Sequence, residues 1–202
     1  MTFETIIAIL LGYAFGCIQP SYFLSKTIRK TDIREHGSGN AGASNTTAIM
    51  GWKYGIIVAL IDILKGFFAL SLIKWIYPDS PNLAYLAGIM AIVGHIFPFY
   101  MRFQGGKGLA TLIGMAFGIN WKLGMIFGSL VIFPALITDY IVAGSFSAFI
   151  ALPIATYLLE YPIFLVGIAT LLLGLIVYLH RANIQRIFKK EELKVSTVIK
   201  RR

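Results

Sequence analysis

Hydrophobic residues do not alternate with polar ones along this chain; they come in long apolar runs separated by short polar stretches. At about 1.5 Å of rise per residue, roughly twenty apolar residues in a helix cross a hydrocarbon core of about 30 Å. Thr5 to Leu24 meets that length and predicts a first span. Tyr54 to Ile76 predicts a second, Leu83 to Tyr100 a third, Leu123 to Thr138 a fifth, Tyr140 to Leu159 a sixth and Ile163 to Leu179 a seventh. Between them, Leu109 to Ile119 is short for a crossing; its small residues Ala110, Gly114 and Gly118 suit tight helix packing, and it is taken as a short fourth span. Pro134 predicts a kink in the fifth span, while Tyr77 to Asn82, Asp139 and Glu160 to Pro162 read as turns. The expected fold is therefore an all-α integral membrane protein, a bundle of about seven transmembrane helices forming one membrane-embedded domain over residues 1–202.

Composition supports this reading: 57% hydrophobic residues, 13% charged residues and a mean hydropathy of +0.77 do not fit a water-facing surface. In such a protein the net charge of +9 marks membrane orientation rather than nucleic-acid binding. Lys26, Arg29, Lys30 and Arg34 directly follow the first span, and residues 181–202 carry eight Lys or Arg against Glu191 and Glu192. Both stretches are expected in the cytoplasm, with the N-terminus outside and the basic tail attracted to anionic lipid headgroups. The first residues, with Glu4 before the first span, lack the basic start and cleavage site of a signal peptide. Cys17 is the one cysteine, so no internal disulfide is possible, and it reads as a small core filler.

Two charges interrupt the apolar pattern. Asp62 and Lys65 stand i,i+3 in the second span, on one helical face. At that depth each costs a few kcal/mol, so they are expected to pair with each other or to face a polar cavity. Ser145 and Ser147 lie in the sixth span, where a back-bond to the helix usually accounts for a membrane serine.

The chemistry gathers in the polar segments. Asp32 to Asn45, DIREHGSGNAGASN, holds Gly37, Gly39 and Gly42 among Ser38, Asn40, Ser44 and Asn45; such a loop can turn tightly and present backbone N–H groups to an anion. It satisfies G-x-G-x-x-G, but an apolar helix precedes it instead of the strand of a dinucleotide-binding unit. A second cluster, Gly105-Gly106-Lys107-Gly108, lacks the spacing of an ATP-binding P-loop yet keeps its logic of close backbone approach beside a point charge. The predicted topology puts both clusters, His36, His95 and His180 on one membrane face, which suits an anionic, phosphorylated ligand. No Cys/His/Glu cluster has metal-ligand spacing, and no G-x-S-x-G is present.

DIREHGSGNAGASN, GHIFPFYMRFQGGKGLAT and HRANIQR, in that order between apolar spans, resemble the three signatures of the bacterial membrane glycerol-3-phosphate acyltransferases that use acyl phosphate, the PlsY family. The resemblance covers nearly the whole chain, including Asp62-Ile63-Leu64-Lys65-Gly66. It implies acyl transfer from acyl phosphate to the 1-hydroxyl of glycerol 3-phosphate, giving lysophosphatidic acid for phospholipid synthesis. It further implies a site facing the cytoplasm in the bacterial inner membrane, with no metal, cofactor, acyl carrier protein or acyl-CoA. By position, Ser38, Gly39, Asn40, Gly42 and Asn45 should cradle phosphate, and His95, Gly105, Gly106, Lys107 and Gly108 resemble the glycerol-phosphate segment. The third signature supplies His180, Arg181 and Asn183; Glu192 falls where the family has an acidic residue, and Ser145 matches the second serine of a family pair. The chain departs from the pattern at Ala48, where arginine is common, at Val142, where the first serine of that pair is expected, and at Lys190, usually glycine.

A mixed anhydride carries its own leaving group, so direct attack by the substrate hydroxyl is expected, with loop amides and Lys107 stabilising developing charge. His36, His95, His180 or a substrate phosphate oxygen could take the proton. The competing class is a transporter or flippase of phosphorylated metabolites, which midplane charges and a short span also suit; it predicts inverted internal symmetry, which the sequence does not display. A structural lipid scaffold would leave both glycine clusters idle.

Overall fold

The computed structural model describes residues 2–200, and the helix is the only extended secondary structure among them. Arg201 and Arg202 of the basic tail lie outside the described residues. The chain divides into two compact units, one within Met1–Gly124 and the other within Met125–Arg202.

In the first unit α1 (Phe3–Gly16) starts at Thr2, whose hydroxyl accepts from the Thr5 amide at 3.3 Å. The predicted first span does not run on unbroken. Pro20 has no amide hydrogen and crowds the residue before it, so the helix stops at Gly16 and restarts as α2 (Pro20–Leu24) with the proline at its first position. A π-helical turn over Ser25–Arg29 and a 3-10 turn over Ile33–Glu35 lead into the first glycine loop. α3 (Ala43–Met50) and α4 (Trp52–Ile76) follow, then α5 (Pro81–Ile96), which ends ahead of Pro98 for the same steric reason. A 3-10 turn over Phe99–Met101 and the second glycine loop precede α6 (Leu109–Ile119).

Several helix contacts in this unit bring backbone against backbone. A Cβ on Gly12 or Gly16 of α1 would collide with the backbone of Ala87 or Ala91 of α5, and one on Gly114 of α6 with the Ile63 carbonyl of α4. In lipid there is little hydrophobic gain from joining two apolar helices, so close van der Waals contact across small residues holds them. Gly114 and Gly118 thus pack α6 tightly, as their spacing predicts. α6, with 11 residues, has buried positions on most of its surface and is shorter than the roughly 20 residues of an undistorted crossing.

The second unit contains most of α7 (Trp121–Thr138), with Pro134 inside it, then α8 (Ile141–Leu158) and α9 (Ile163–Leu179). α8 and α9 pack together across the turn at Glu160, which adopts φ 59°. α10 (Arg181–Phe188) continues α9 at a bend of 45°, and α11 (Val195–Lys200) is tied to the α7–α8 turn through Asp139, whose carboxylate accepts from the Ser196 amide at 2.7 Å and hydroxyl at 2.6 Å. Five helical stretches among the described residues are long and apolar enough to cross a membrane, with Phe3–Arg29 and Pro81–Met101 each taken as one stretch across their breaks, or six if the bent α9–α10 pair counts as one span.

Candidate functional site

The two glycine loops, far apart in sequence, touch in the first unit. The Ala41 amide donates to the Gly105 carbonyl at 3.4 Å, and a Cβ on Gly106 would sit 2.8 Å from the Ala41 carbonyl oxygen. Each loop opens into a helix: Gly42 caps α3 and Gly108, at φ 78°, caps α6, neither with a side-chain cap. First-turn amides of a helix have no partner within it, so two positively poled helix starts arise from adjoining loops.

Asn45 shapes the first loop from within. Its side chain, 2% exposed, accepts from the Ser38 amide at 2.9 Å and donates to the carbonyls of Ile33 at 3.1 Å and His36 at 3.0 Å. Asn45 is therefore used in folding the loop, whereas Ser38 and Gly39 are exposed and Asn40 is half-buried. Gly37 and Gly39 take φ 60° and 72°, conformations that residues with a side chain rarely adopt. His36 is exposed, its Nε2 2.9 Å from the Thr31 hydroxyl.

Beneath the second loop lies a charged cluster. Lys65 Nζ is 2.6 Å from Asp62 Oδ1, 2.6 Å from the Ile18 carbonyl oxygen and 2.7 Å from His95 Nδ1. The ammonium can only donate, so it gives hydrogen bonds to the Ile18 carbonyl and to His95 Nδ1 and meets the Asp62 carboxylate as an ion pair. Asp62 and Lys65 thus pair with each other, one of the two arrangements expected from their spacing, and His95 completes the group. With His95 Nδ1 accepting, the ring proton sits on Nε2, the atom that a Cβ on Gly106 would strike. The His95 carbonyl accepts from the Gly106 amide at 3.0 Å and from the Gln19 side chain at 2.9 Å, while the Gly105 amide donates to Ile96 at 2.9 Å. A buried ion pair in the bundle is in this way joined, through one histidine, to the glycine-lysine loop. Lys107 is half-buried beside it.

Arg34, an orientation signal in the sequence, also has a structural part. Its guanidinium pairs with Asp32, Nη2 to Oδ2 at 2.7 Å and Nε to Oδ1 at 3.0 Å, and its Nη1 donates to the Met101 carbonyl at 2.6 Å. The Arg34 hydrogen bonds hold the Asp32 carboxyl below its ordinary range, and the same bonds raise the Arg34 guanidinium. Gln19, placed by the break before Pro20, was also missed. The visible signals were the Asp-x-Arg spacing ahead of the glycines and the pre-proline position.

The third signature lies in the second unit. His180, 3% exposed, donates from Nδ1 to the Ile176 carbonyl at 2.9 Å, which makes Nε2 the nitrogen with the lone pair. Asn183 donates to Glu192 Oε1 at 2.6 Å, and Arg186 to Glu192 Oε2 at 2.6 Å, so Glu192 holds both. Arg181 is exposed over the Tyr178 ring at 4.0 Å. Ser147 makes the back-bond expected of it, to Ala143 at 3.0 Å. Ser145 does not: its hydroxyl is buried with no hydrogen-bond partner among the described residues. Among the described residues no group of three or more His, Cys, Asp or Glu is placed to hold a metal ion.

The family model for glycerol-3-phosphate acyltransferase matches residues 6–190. Glycerol-3-phosphate acyltransferase 1 of Oceanobacillus iheyensis is 40% identical over 96% of this chain and 96% of its own length. The glycerol-3-phosphate acyltransferase of Staphylococcus haemolyticus is 35% identical over 94% of this chain and 97% of its own. The crystal structure of PlsY (YgiH), an integral membrane glycerol 3-phosphate acyltransferase in its glycerol 3-phosphate form, aligns with a TM-score of 0.84 at 28% identity, covering 94% of each chain. Its lysophosphatidic acid form aligns with a TM-score of 0.80. An all-helical multi-pass membrane protein that matches this family from its first helix to its third signature belongs to the glycerol-3-phosphate acyltransferases.

Proposed function

We propose that this chain transfers an acyl group from acyl phosphate to the 1-hydroxyl of glycerol 3-phosphate, giving lysophosphatidic acid and inorganic phosphate. The observation that carries the reading is the contact between the two glycine loops at Ala41 and Gly105, each opening into an uncapped helix start. Two phosphorylated substrates call for two phosphate cradles side by side, and backbone amides at helix starts suit both.

In this reading the C1 hydroxyl oxygen attacks the acyl carbonyl carbon, the bond from that carbon to the phosphate oxygen breaks, and phosphate leaves with the electron pair. Ser38, Gly39, Asn40 and Gly42, shaped by Asn45, hold one phosphoryl group. Gly105, Gly106, Lys107 and Gly108 hold the other, with Lys107 stabilising the developing charge as a point cation. His180, Arg181, Asn183, Glu192 and Ser145 enter by their signatures, with Glu192 fixing the Asn183 amide. The hydroxyl proton goes to His180 or to a substrate phosphate oxygen. His95, whose Nδ1 already accepts from Lys65, is given a positioning part in place of a base.

The reading also includes one acyltransferase domain of about seven crossings, α6 forming a short one, with the N-terminus outside and the loops and basic tail on the cytoplasmic side of the bacterial inner membrane. Purified protein in detergent, given acyl phosphate and glycerol 3-phosphate, is expected to release lysophosphatidic acid and phosphate in equal amounts. Product from acyl-CoA or acyl carrier protein but none from acyl phosphate would replace the donor in this reading.

A further inference from the structure

The turn that delivers the second glycine loop is held in an unfavourable conformation. Arg102 and Phe103, two consecutive residues with side chains, adopt φ 55° and 56°. A Cβ in that region crowds the following carbonyl, so single residues enter it rarely and adjacent pairs more rarely still. Packing does not impose it on Phe103, which is 59% exposed. Local hydrogen bonds contribute: the Phe103 amide donates to Pro98 at 3.1 Å and the Gln104 amide to Met101 at 3.2 Å.

The long-range restraint comes from Arg34. Its Nη1 donates to the Met101 carbonyl at 2.6 Å and the Gln104 carbonyl at 3.3 Å, the residues on either side of the left-handed pair. Two further guanidinium donors, on Nε and Nη2, are held by the two oxygens of Asp32, and the group lies 5.6 Å from the Tyr22 ring centre. Gly105, whose carbonyl receives the Ala41 amide, comes immediately after Gln104. Thus a cation from the first signature staples the turn that sets the second.

We propose that Arg34 is a positioning residue: its guanidinium, oriented by Asp32, holds the left-handed Arg102–Phe103 turn so that the loop at 105–108 meets the loop at 38–42 in register for phosphate binding. The effect on catalysis rests on the acyltransferase reading above; the clamp itself does not. Lysine in place of Arg34 could not grip Asp32 at two points and reach two carbonyls, so charge alone is not the requirement.

Full-length protein in detergent carries the test. Arg34→Ala and Arg34→Lys are each expected to raise KM for glycerol 3-phosphate about tenfold with kcat within about threefold, the pattern of a loosened binding loop. Amide exchange over residues 102–108 should accelerate in both. Glycine tolerates the left-handed pair, so Arg102→Gly/Phe103→Gly should lessen the need for the staple. Adding Arg34→Ala to that background should cost about threefold or less, a non-additivity expected of residues sharing one strained turn. A merely structural arginine would lower thermal stability in both backgrounds without that rescue. KM and exchange within twofold of the parent in Arg34→Ala, or an equal loss in both backgrounds, would overturn the proposal. A parent protein that makes no lysophosphatidic acid yet shows the exchange differences would support the clamp and remove the acyltransferase reading.

Discussion

His95 Nε2 occupies the place where a side chain on Gly106 would begin, so that a Cβ there would overlap it. The same histidine accepts from Lys65 through Nδ1, so the glycine-lysine loop is seated directly on the buried ion pair. A loop rich in glycine is made specific here by what lies under it.

Gly106→Ala should therefore be costly although it adds one methyl group. The new Cβ would strike His95 and crowd the Ala41 carbonyl, pushing the two loops apart. We expect kcat/KM for glycerol 3-phosphate to fall by at least about tenfold, since small displacements of a binding loop carry large kinetic penalties. Gly174→Ala, with nothing within 4 Å of the added Cβ, should leave it unchanged.

Removing one member of the buried pair leaves the other charge without its partner. Lys65→Met is expected to destabilise the protein by about 3–5 kcal/mol, read as a lowered thermal unfolding midpoint in detergent. Replacing both members, Asp62→Leu with Lys65→Met, should recover much of that loss. Full recovery of stability without recovery of activity would separate the fold's requirement from that of the loop.

Asp32 gives a pH signature on the acid side. Its carboxyl is held below the ordinary range first by the Arg34 hydrogen bond, so the folded state binds the proton less readily than the unfolded one. The stability this contributes is fully present above the ordinary carboxylate range and is lost as pH falls below about 4 and through the lowered folded value. Asp32→Asn should be less stable at neutral pH and should show a shallower loss on acidification, measured by unfolding midpoints across the acid limb.

Ser145 offers a case where stability and function should part. Burying a hydroxyl without a partner costs about 1–3 kcal/mol. Ser145→Ala is therefore expected to keep or raise the unfolding midpoint, and, if the hydroxyl meets substrate as proposed, to raise KM. A lowered midpoint would point to a hydrogen bond within the fold.

The helical, membrane-spanning character was legible because apolar runs carry it residue by residue, and the turns before α5 and at Asp139 were legible from their prolines and acids, although Pro81 and Asn82 already open α5, where a proline suits the first helical position. The Asp62–Lys65 pair was legible as well, because helical spacing puts both on one face. What spacing could not reveal is which distant groups they meet: His95 lies on another helix, and Arg34 reaches a carbonyl 67 residues away. The break before Pro20 leaves no mark in hydropathy, which continues across it. Asn45 reads in the sequence as part of a phosphate cradle, yet its side chain is spent on the loop's own carbonyls and the Ser38 amide; a short amide serves either purpose, and only the fold decides.

The most direct test asks whether the two loops act on the substrates as one unit. Lysophosphatidic acid formation from acyl phosphate should be measured for Asn40→Ala, Lys107→Ala and the double variant. Adjoining cradles predict non-additive losses in kcat/KM, with a coupling of at least about 1 kcal/mol. Losses that simply add would contradict a shared site.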